Sequence, residues 1–115
     1  MNDNLLTYGV PASLFLAFLL FKQLGQISSA RAHELVQGGA MLIDVRSPGE
    51  FSSGHLPGAV NVPLQEVGGR SGTLGAKNAP IVLYCASGTR SAMARSTLTR
   101  QGFTQVFNLG AMSRW

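Results

Sequence analysis

The chain has 115 residues, enough for one small domain. Nine basic residues against five acidic ones give a net charge of +4, but they are scattered and rarely interleaved with aromatics, which argues against a nucleic-acid-binding surface. The single cysteine, Cys85, excludes an internal disulfide and fits a reducing compartment. With His33 and His55 far apart in sequence, it also leaves no ligand set for a structural metal.

The first marked element is an uncharged run, Leu5 to Phe21, followed by Lys22. As a helix it would rise about 25 Å, and extension to Leu24 with a snorkelling Lys22 approaches the hydrocarbon thickness of about 30 Å. Pro11 is tolerated in membrane helices, and Tyr8 suits the headgroup belt. A cleaved signal peptide fits less well: no basic residue precedes the run, and Lys22 intervenes before the small-residue site Ala30-Arg31-Ala32. A buried core helix would hide more uncharged residues than so small a domain accommodates. The run therefore reads as a single-pass membrane anchor. Asp3 precedes it while Lys22 and Arg31 follow, which directs the C-terminal part to the cytoplasm. The domain division is residues 1–25, anchor and linker, and residues 26–115, a globular domain.

Ser28 or Ser29 is expected to cap a helix through Ala32, Leu35 and Val36, ended by Gly38-Gly39, with His33 on the solvated face. Met41 to Val45 reads as a buried strand with Asp44 and Arg46 at its C-terminal end, an arrangement that also suits a plain strand-end ion pair. Ser47-Pro48 opens a short helix from which Phe51 packs inward. Gly54 to Pro63 is mostly extended turn, with a short strand at Ala59–Val62. Here His55 is read as a residue that holds the loop's shape rather than as a general base. Glu66 to Ala79 reads as a surface connection. The apolar run Ile81–Tyr84 is a core strand, ending at Cys85. A helix carrying Ala94 and Leu98, with Met93 beside them, follows from Ser91 and stops at Gly102 as a left-handed cap. Gln105–Asn108 makes the last strand, and Trp115 is expected to cover the core; the sequence stops at this tryptophan, which leaves room for a clipped C-terminal tail. Strands alternating with helices predict an α/β fold, a parallel sheet covered on both faces.

The chemistry concentrates at Cys85. A thiol at the C-terminal end of a strand, before a short loop and a helix, lies where backbone N–H groups converge. Those donors, with Arg90 close by, favour a thiolate and lower the cysteine pKa, and Gly88 lets the loop turn. A lone buried cysteine is otherwise a small hydrophobe; the loop around this one points to a nucleophile.

The segment Tyr84-Cys85-Ala86-Ser87-Gly88-Thr89-Arg90-Ser91 resembles the active-site loop of rhodanese, or sulfurtransferase, domains. Leu42-Ile43-Asp44-Val45-Arg46, Gly54 to Pro63, and Gly102-Phe103 to Asn108-Leu109-Gly110 with Trp115 resemble further marks of that family in the same order. The resemblance covers about Ile27 to Trp115 and implies a small doubly wound sheet of about five strands. It also implies a mechanism: Cys85 takes the outer sulfur of thiosulfate or another persulfide donor, becomes a persulfide, and passes that sulfur to cyanide, a cellular thiol or a protein acceptor, without a cofactor. By the same resemblance, Ala86, Ser87, Gly88, Thr89, Arg90 and Ser91 cradle the donor and the persulfide, with hydroxyl bonds or helix caps from Ser87 and Thr89. Asp44 and Arg46 support the site from behind. Two departures stand out. Many thiosulfate-using relatives carry a basic residue immediately after the cysteine, where this chain has Ala86, and Tyr84 rather than histidine precedes it. The alternatives are phosphatase-like or arsenate-reductase-like chemistry on the same fold, and a tethered persulfide-binding module with little turnover. Against the first, the loop between Cys85 and Arg90 is one residue shorter than in the cysteine-phosphatase pattern.

Overall fold

The computed structural model describes residues 11–115. Its centre is a four-stranded parallel sheet: β1 (Met41–Asp44), β2 (Val60–Asn61), β3 (Ile81–Cys85) and β4 (Val106–Ala111), in the order β2-β1-β3-β4. The sheet has four strands rather than about five. An isolated parallel bridge between Gln26 and Asn108 takes the place beyond β4. There the Asn108 N–H donates to the Gly25 carbonyl and the Ile27 N–H donates to the Asn108 carbonyl, at 2.8 and 2.9 Å, so part of the outer edge of β4 is paired.

The alternation along β3 shows why this run is central. Ile81, Leu83 and Cys85 face one core, and Val82 and Tyr84 face the other, all fully buried. Helices α4 (Leu64–Arg70) and α5 (Thr89–Arg100) cover the first face through Val67, Ala94 and Leu98. On the opposite face α2 (Ser29–Gln37) packs through Ala32, with Leu56 and Trp115 beside it. Helices therefore lie on both faces, as expected of a doubly wound α/β fold. Ser28 is the cap of α2, its hydroxyl accepting from the Arg31 N–H at 3.1 Å. Helix α3 (Pro48–Ser52) begins with a capping box in which the Ser47 hydroxyl and the Glu50 carboxylate satisfy each other's backbone N–H.

Several expectations need correction. Glu66–Ala79 is not merely a surface connection: Leu64–Arg70 is helical, a 3-10 turn follows at Ser71–Thr73, and Val67 and Leu74 are buried in the core. Gly68 and Gly69 mask that helix in the sequence because glycine is a poor helix former. Met93 points outward from α5, 46% exposed, while Ala94 and Leu98 face the sheet. The last strand runs three residues further, to Ala111. His33 is not simply solvated: its ring stacks on Trp115 with centroids 3.6 Å apart, and Nε2 lies 3.0 Å from the Trp115 carbonyl. Phe51 is half-buried and stacks on His55, whose Nδ1 is 2.9 Å from the Phe51 carbonyl, so this histidine shapes its turn.

The N-terminal helix α1 (Ala12–Gln23) leans on α5 and β4, and every residue from Pro11 to Leu20 is exposed. The expected span Leu5–Phe21 is only partly in view, since residues 5–10 lie outside the described residues. Among the described residues no helix is long and apolar enough to cross a membrane. The 12 residues of α1 rise about 18 Å, short of the roughly 30 Å of a hydrocarbon core.

Candidate active site

The order β2-β1-β3-β4 means that the chain leaves β1 toward one edge and returns on its other side as β3. The loops that follow these two strands therefore diverge, and the crevice between their carboxyl ends is where open parallel sheets place ligands. Cys85 ends β3 at this point, and Asp44 ends β1.

After Cys85 the chain turns through Ala86 and Ser87, both exposed, to Gly88, which is the N-terminal cap of α5 at φ 97°. A side chain at that φ is strained. A Cβ there would also lie 3.3 Å from Lys22 Cε and 3.4 Å from Gly110 Cα. No side-chain hydroxyl caps α5, contrary to the role considered for Ser87 and Thr89. The cysteine sulfur takes that place. The Gly88 N–H donates to Cys85 Sγ at 2.9 Å, the Ser91 N–H reaches it at 3.4 Å, and the Ser91 hydroxyl is 3.4 Å away. Burial pushes the Cys85 thiol up, but the Ser91 hydroxyl and the N–H groups of Ser91, Gly88 and Ser87 together outweigh it, and the net shift is downward. These are the first N–H groups of a helix, the donors that otherwise lack partners. A thiolate is the atom that satisfies them best.

Arg90 lies on the first turn of α5 and reaches across the crevice to α3. Its two terminal nitrogens donate to Glu50 Oε1 and Oε2 at 2.7 and 3.0 Å. This fork lowers the Glu50 pKa to about 2, chiefly through the Arg90 hydrogen bonds and secondarily through the Ser47 N–H. Arg90 is thus paired with a carboxylate; the Glu50 hydrogen bonds chiefly, and the charges of Glu50 and Cys85 after them, raise its pKa.

Behind the loop, Asp44 and Arg46 form a buried pair. The Arg46 side chain contacts both carboxylate oxygens at 2.7 to 3.0 Å, its backbone N–H donates to Oδ1 at 2.8 Å, and Nη2 also donates to the Gly54 carbonyl at 2.7 Å. The Asp44 hydrogen bonds raise the Arg46 pKa further. Asn61 joins β2 to this strand end, its amide donating to the carbonyls of Asp44 and Arg46 at 3.0 and 2.9 Å. The Tyr84 hydroxyl accepts from the Leu56 N–H at 3.0 Å, and burial raises its pKa to about 12. Tyr84 therefore points away from Cys85 and anchors the Gly54–Pro63 turn.

The structure brings Cys85, Ser87, Gly88 and Ser91 around one sulfur atom. It places Ala86 on the rim, half-buried Thr89 and Arg90 on the outer side of the helix start, and Asp44 and Arg46 beneath. Two contacts and a pocket were not anticipated. The Ser91 hydroxyl had no signal beyond its spacing from Cys85. Glu50 was visible as the fourth residue of the Ser47–Glu50 capping box, but nothing in the sequence joins it to Arg90. The third is a pocket beside the loop, described below. Among the described residues no cluster of acidic, histidine and cysteine side chains could hold a metal ion.

A family model described as Rhodanese-like domain matches residues 28–115, and the chain belongs to that family. It is 42% identical over 77 residues to the uncharacterized protein YqhL of Bacillus subtilis, a match covering 66% of this chain and 60% of YqhL, so it spans less than two thirds of that relative. It is 39% identical over 71 residues to thiosulfate sulfurtransferase PspE of Escherichia coli, covering 61% of this chain and 68% of PspE. Among solved structures, the human single-domain sulfurtransferase TSTD1 superposes with a TM-score of 0.71 at 26% identity, covering 79% of this chain and 94% of the other. Sulfurtransferase is the activity that the last two names share, and it is the activity that the resemblance implied.

Proposed function

We propose that this protein is a sulfurtransferase whose nucleophile is Cys85. The observation that carries the reading is the sulfur itself, buried at a strand end and held by the Gly88 and Ser91 N–H groups at 2.9 and 3.4 Å. The Cys85 thiolate attacks the outer sulfur of thiosulfate. A new sulfur–sulfur bond forms to Cys85, the sulfur–sulfur bond of thiosulfate breaks, and sulfite leaves with the bonding pair. The product persulfide carries one negative charge, as the thiolate did, so the loop amides and the Ser91 hydroxyl that stabilised one anion stabilise the next. Cyanide or a thiolate then attacks the terminal sulfur, leaves as thiocyanate or as a new persulfide, and restores the Cys85 thiolate. The cycle needs no proton at the cysteine and no separate base, and it has the two-step character of covalent catalysis.

Ala86 and Ser87 form the rim through which a donor reaches the sulfur, and Gly88, Thr89, Arg90 and Ser91 form the cradle. Arg90 meets a donor's oxygens only by loosening from Glu50. With Ala86 where a basic residue would add charge, this makes a persulfide donor as suitable as thiosulfate. Asp44 and Arg46 fix the neighbouring strand end. Mass spectrometry of the protein after thiosulfate treatment tests the reading: an adduct of about 32 Da, one sulfur atom, is expected on Cys85. No such adduct with thiosulfate or with an organic persulfide would overturn it. Aryl phosphate hydrolysis that matches or exceeds sulfur transfer would favour phosphatase-like chemistry instead.

We further propose that residues 1–25 attach residues 26–115 to a membrane. What supports this is the apolar and exposed surface of α1, with Leu14, Phe15, Leu16 and Leu20 each more than half exposed, continuous in sequence with the uncharged residues 5–10. Lys22 at the far end orients the domain to the cytoplasm. The full chain should pellet with membranes and resist carbonate extraction. Recovery as a monomer without detergent would refute attachment.

A further inference from the structure

Beside the cysteine loop lies a pocket of about 250 Å³ that the sulfur chemistry described so far does not use. Ser87 and Gly88 form one wall, Gly110 and Ala111 of β4 another, and Lys22 and Arg114 contribute the charge. Ala111 is the register partner of Cys85 across β3 and β4, so the pocket abuts the catalytic loop on the flank opposite Arg90 and Glu50. Lys22 reaches it from the end of α1, its Cε 3.3 Å from the position a Gly88 Cβ would take. Arg114 is fixed there by the Leu109 and Ile27 carbonyls, which accept from its Nε and Nη2 at 2.8 and 2.9 Å. The Gln26 amide is assigned with its oxygen toward the same guanidinium, 3.1 to 3.2 Å away.

The charges around the loop are unequal. All four acidic residues in the described part are taken: Glu34 by Arg31, Asp44 by Arg46, Glu66 by Arg70 and Glu50 by Arg90. Neither Lys22 nor Arg114 faces a carboxylate among the described residues, and no acidic side chain lines the pocket. The cationic flank of the cysteine loop is therefore the α1 side, not the Arg90 side. The pocket is also smaller than the roughly 300–1,000 Å³ of sites for drug-sized ligands, which suits a small anion.

We propose that this pocket docks the oxyanion end of an anionic sulfur donor, an S-sulfonate such as thiosulfate, and that Lys22 is a binding residue selecting anionic over neutral donors. Lys22 and Arg114 supply from outside the loop the positive charge that Ala86 does not. The proposal rests on the sulfurtransferase reading and adds the direction of donor approach.

The test uses the full chain in non-ionic detergent and compares wild type with Lys22→Gln and Lys22→Arg. For Lys22→Gln the KM for thiosulfate should rise about five-fold with kcat unchanged, the effect of one partly exposed charge, and Lys22→Arg should restore it. Added salt should raise KM more in wild type than in Lys22→Gln. Alkylation of Cys85 by iodoacetamide, which is neutral, should proceed at the same rate in all three. Calorimetric binding of sulfite to the reduced protein should weaken by a similar factor in Lys22→Gln. A KM and a sulfite affinity both unmoved by Lys22→Gln would overturn the pocket, while a persulfide on Cys85 would still uphold sulfur transfer. Conversely, Lys22-dependent sulfite binding without any persulfide would uphold the pocket and sink the transfer reading. The same measurement in micelles doped with phosphatidylglycerol separates the two sources of an oxyanion. Competition with sulfite in wild type but not in Lys22→Gln would assign the pocket to a lipid phosphate and refute the donor proposal.

Discussion

Replacing Ser91 by alanine should raise the pKa of Cys85. The hydroxyl is 3.4 Å from Sγ, and its proton can otherwise go only to the Gly88 carbonyl, 3.2 Å away. When the sulfur is charged it is the better acceptor, so the hydroxyl favours thiolate over thiol. Hydrogen bonds to charged groups contribute about 1.5–3 kcal/mol, and the long separation puts this one at the lower end. A loss of about 1.5 kcal/mol of thiolate stabilisation is about a ten-fold slower alkylation at a fixed pH below the midpoint. The substitution leaves the rest of the site unchanged: the Gly88 and Ser91 N–H groups remain in place, and alanine suits a buried position on the first turn of α5. The assay is the pH dependence of alkylation by iodoacetamide, checked by thiolate absorbance. Because Cys85 is fully buried, absolute rates also reflect the reagent's access to the sulfur. The midpoint in pH carries the information. Wild type should have a midpoint below the ordinary cysteine value of about 8.5, and Ser91→Ala should move it upward. A midpoint unmoved by Ser91→Ala, with the fold intact, would show that the backbone N–H groups alone hold the thiolate and that the hydroxyl belongs to Gly88.

Asp44→Ala should destabilise the domain by about 3–5 kcal/mol, because it strands the buried Arg46 charge; thermal melting reads this, and adding Arg46→Met should recover part of the loss. The Glu50 carboxyl carbon, followed by NMR, should titrate near 2 in wild type and move up in Arg90→Ala while staying below the ordinary value of about 4.3, because the Ser47 N–H still donates to it. A depressed folded pKa gives stability that is complete above the ordinary carboxylate value of about 4.3, so the Arg90–Glu50 contribution should fade progressively as pH falls below that value and be gone near about 2. Gly88→Ala should slow persulfide formation and cost about 1–2 kcal/mol in a urea melt, since the new side chain is strained at φ 97° and presses on Gly110 Cα.

The features legible in the sequence were those with a local cause. The apolar run at Ile81–Tyr84, the glycine at position 88 and the cap at Ser28 each state their conformation in a few residues, and the structure has a strand, a left-handed turn and a helix start there. Gly102 is likewise left-handed, at φ 98°. What escaped was set by contacts distant along the chain. The α4 helix exists because Val67, with Leu64 packed beside it, has a core to enter, which outweighs the glycines in its own sequence. The Arg90–Glu50 fork joins residues 40 apart, and each of them is also an ordinary member of a helix first turn when read locally. The His33–Trp115 stack joins opposite ends of the globular part, so the helical pattern that put His33 on the outside was right about direction but blind to what covers it.

The two flanks of the cysteine loop divide the electrostatic task. The thiolate is held by dipoles, the N–H groups of Gly88 and Ser91, which are fixed by the fold and buried with the sulfur. Fixed dipoles in a buried site stabilise an anion without attracting counterions from afar. Full charges act at longer range and are screened by salt. On the β1 side that longer-range charge is cancelled, since Glu50 occupies both arms of Arg90. On the β4 side Lys22 and Arg114 meet no such carboxylate among the described residues. An alanine after the nucleophile is then no defect of the site. It leaves activation of the sulfur to the backbone, and it leaves attraction of the donor to residues outside the loop, one of them on the helix that leads toward the proposed membrane attachment.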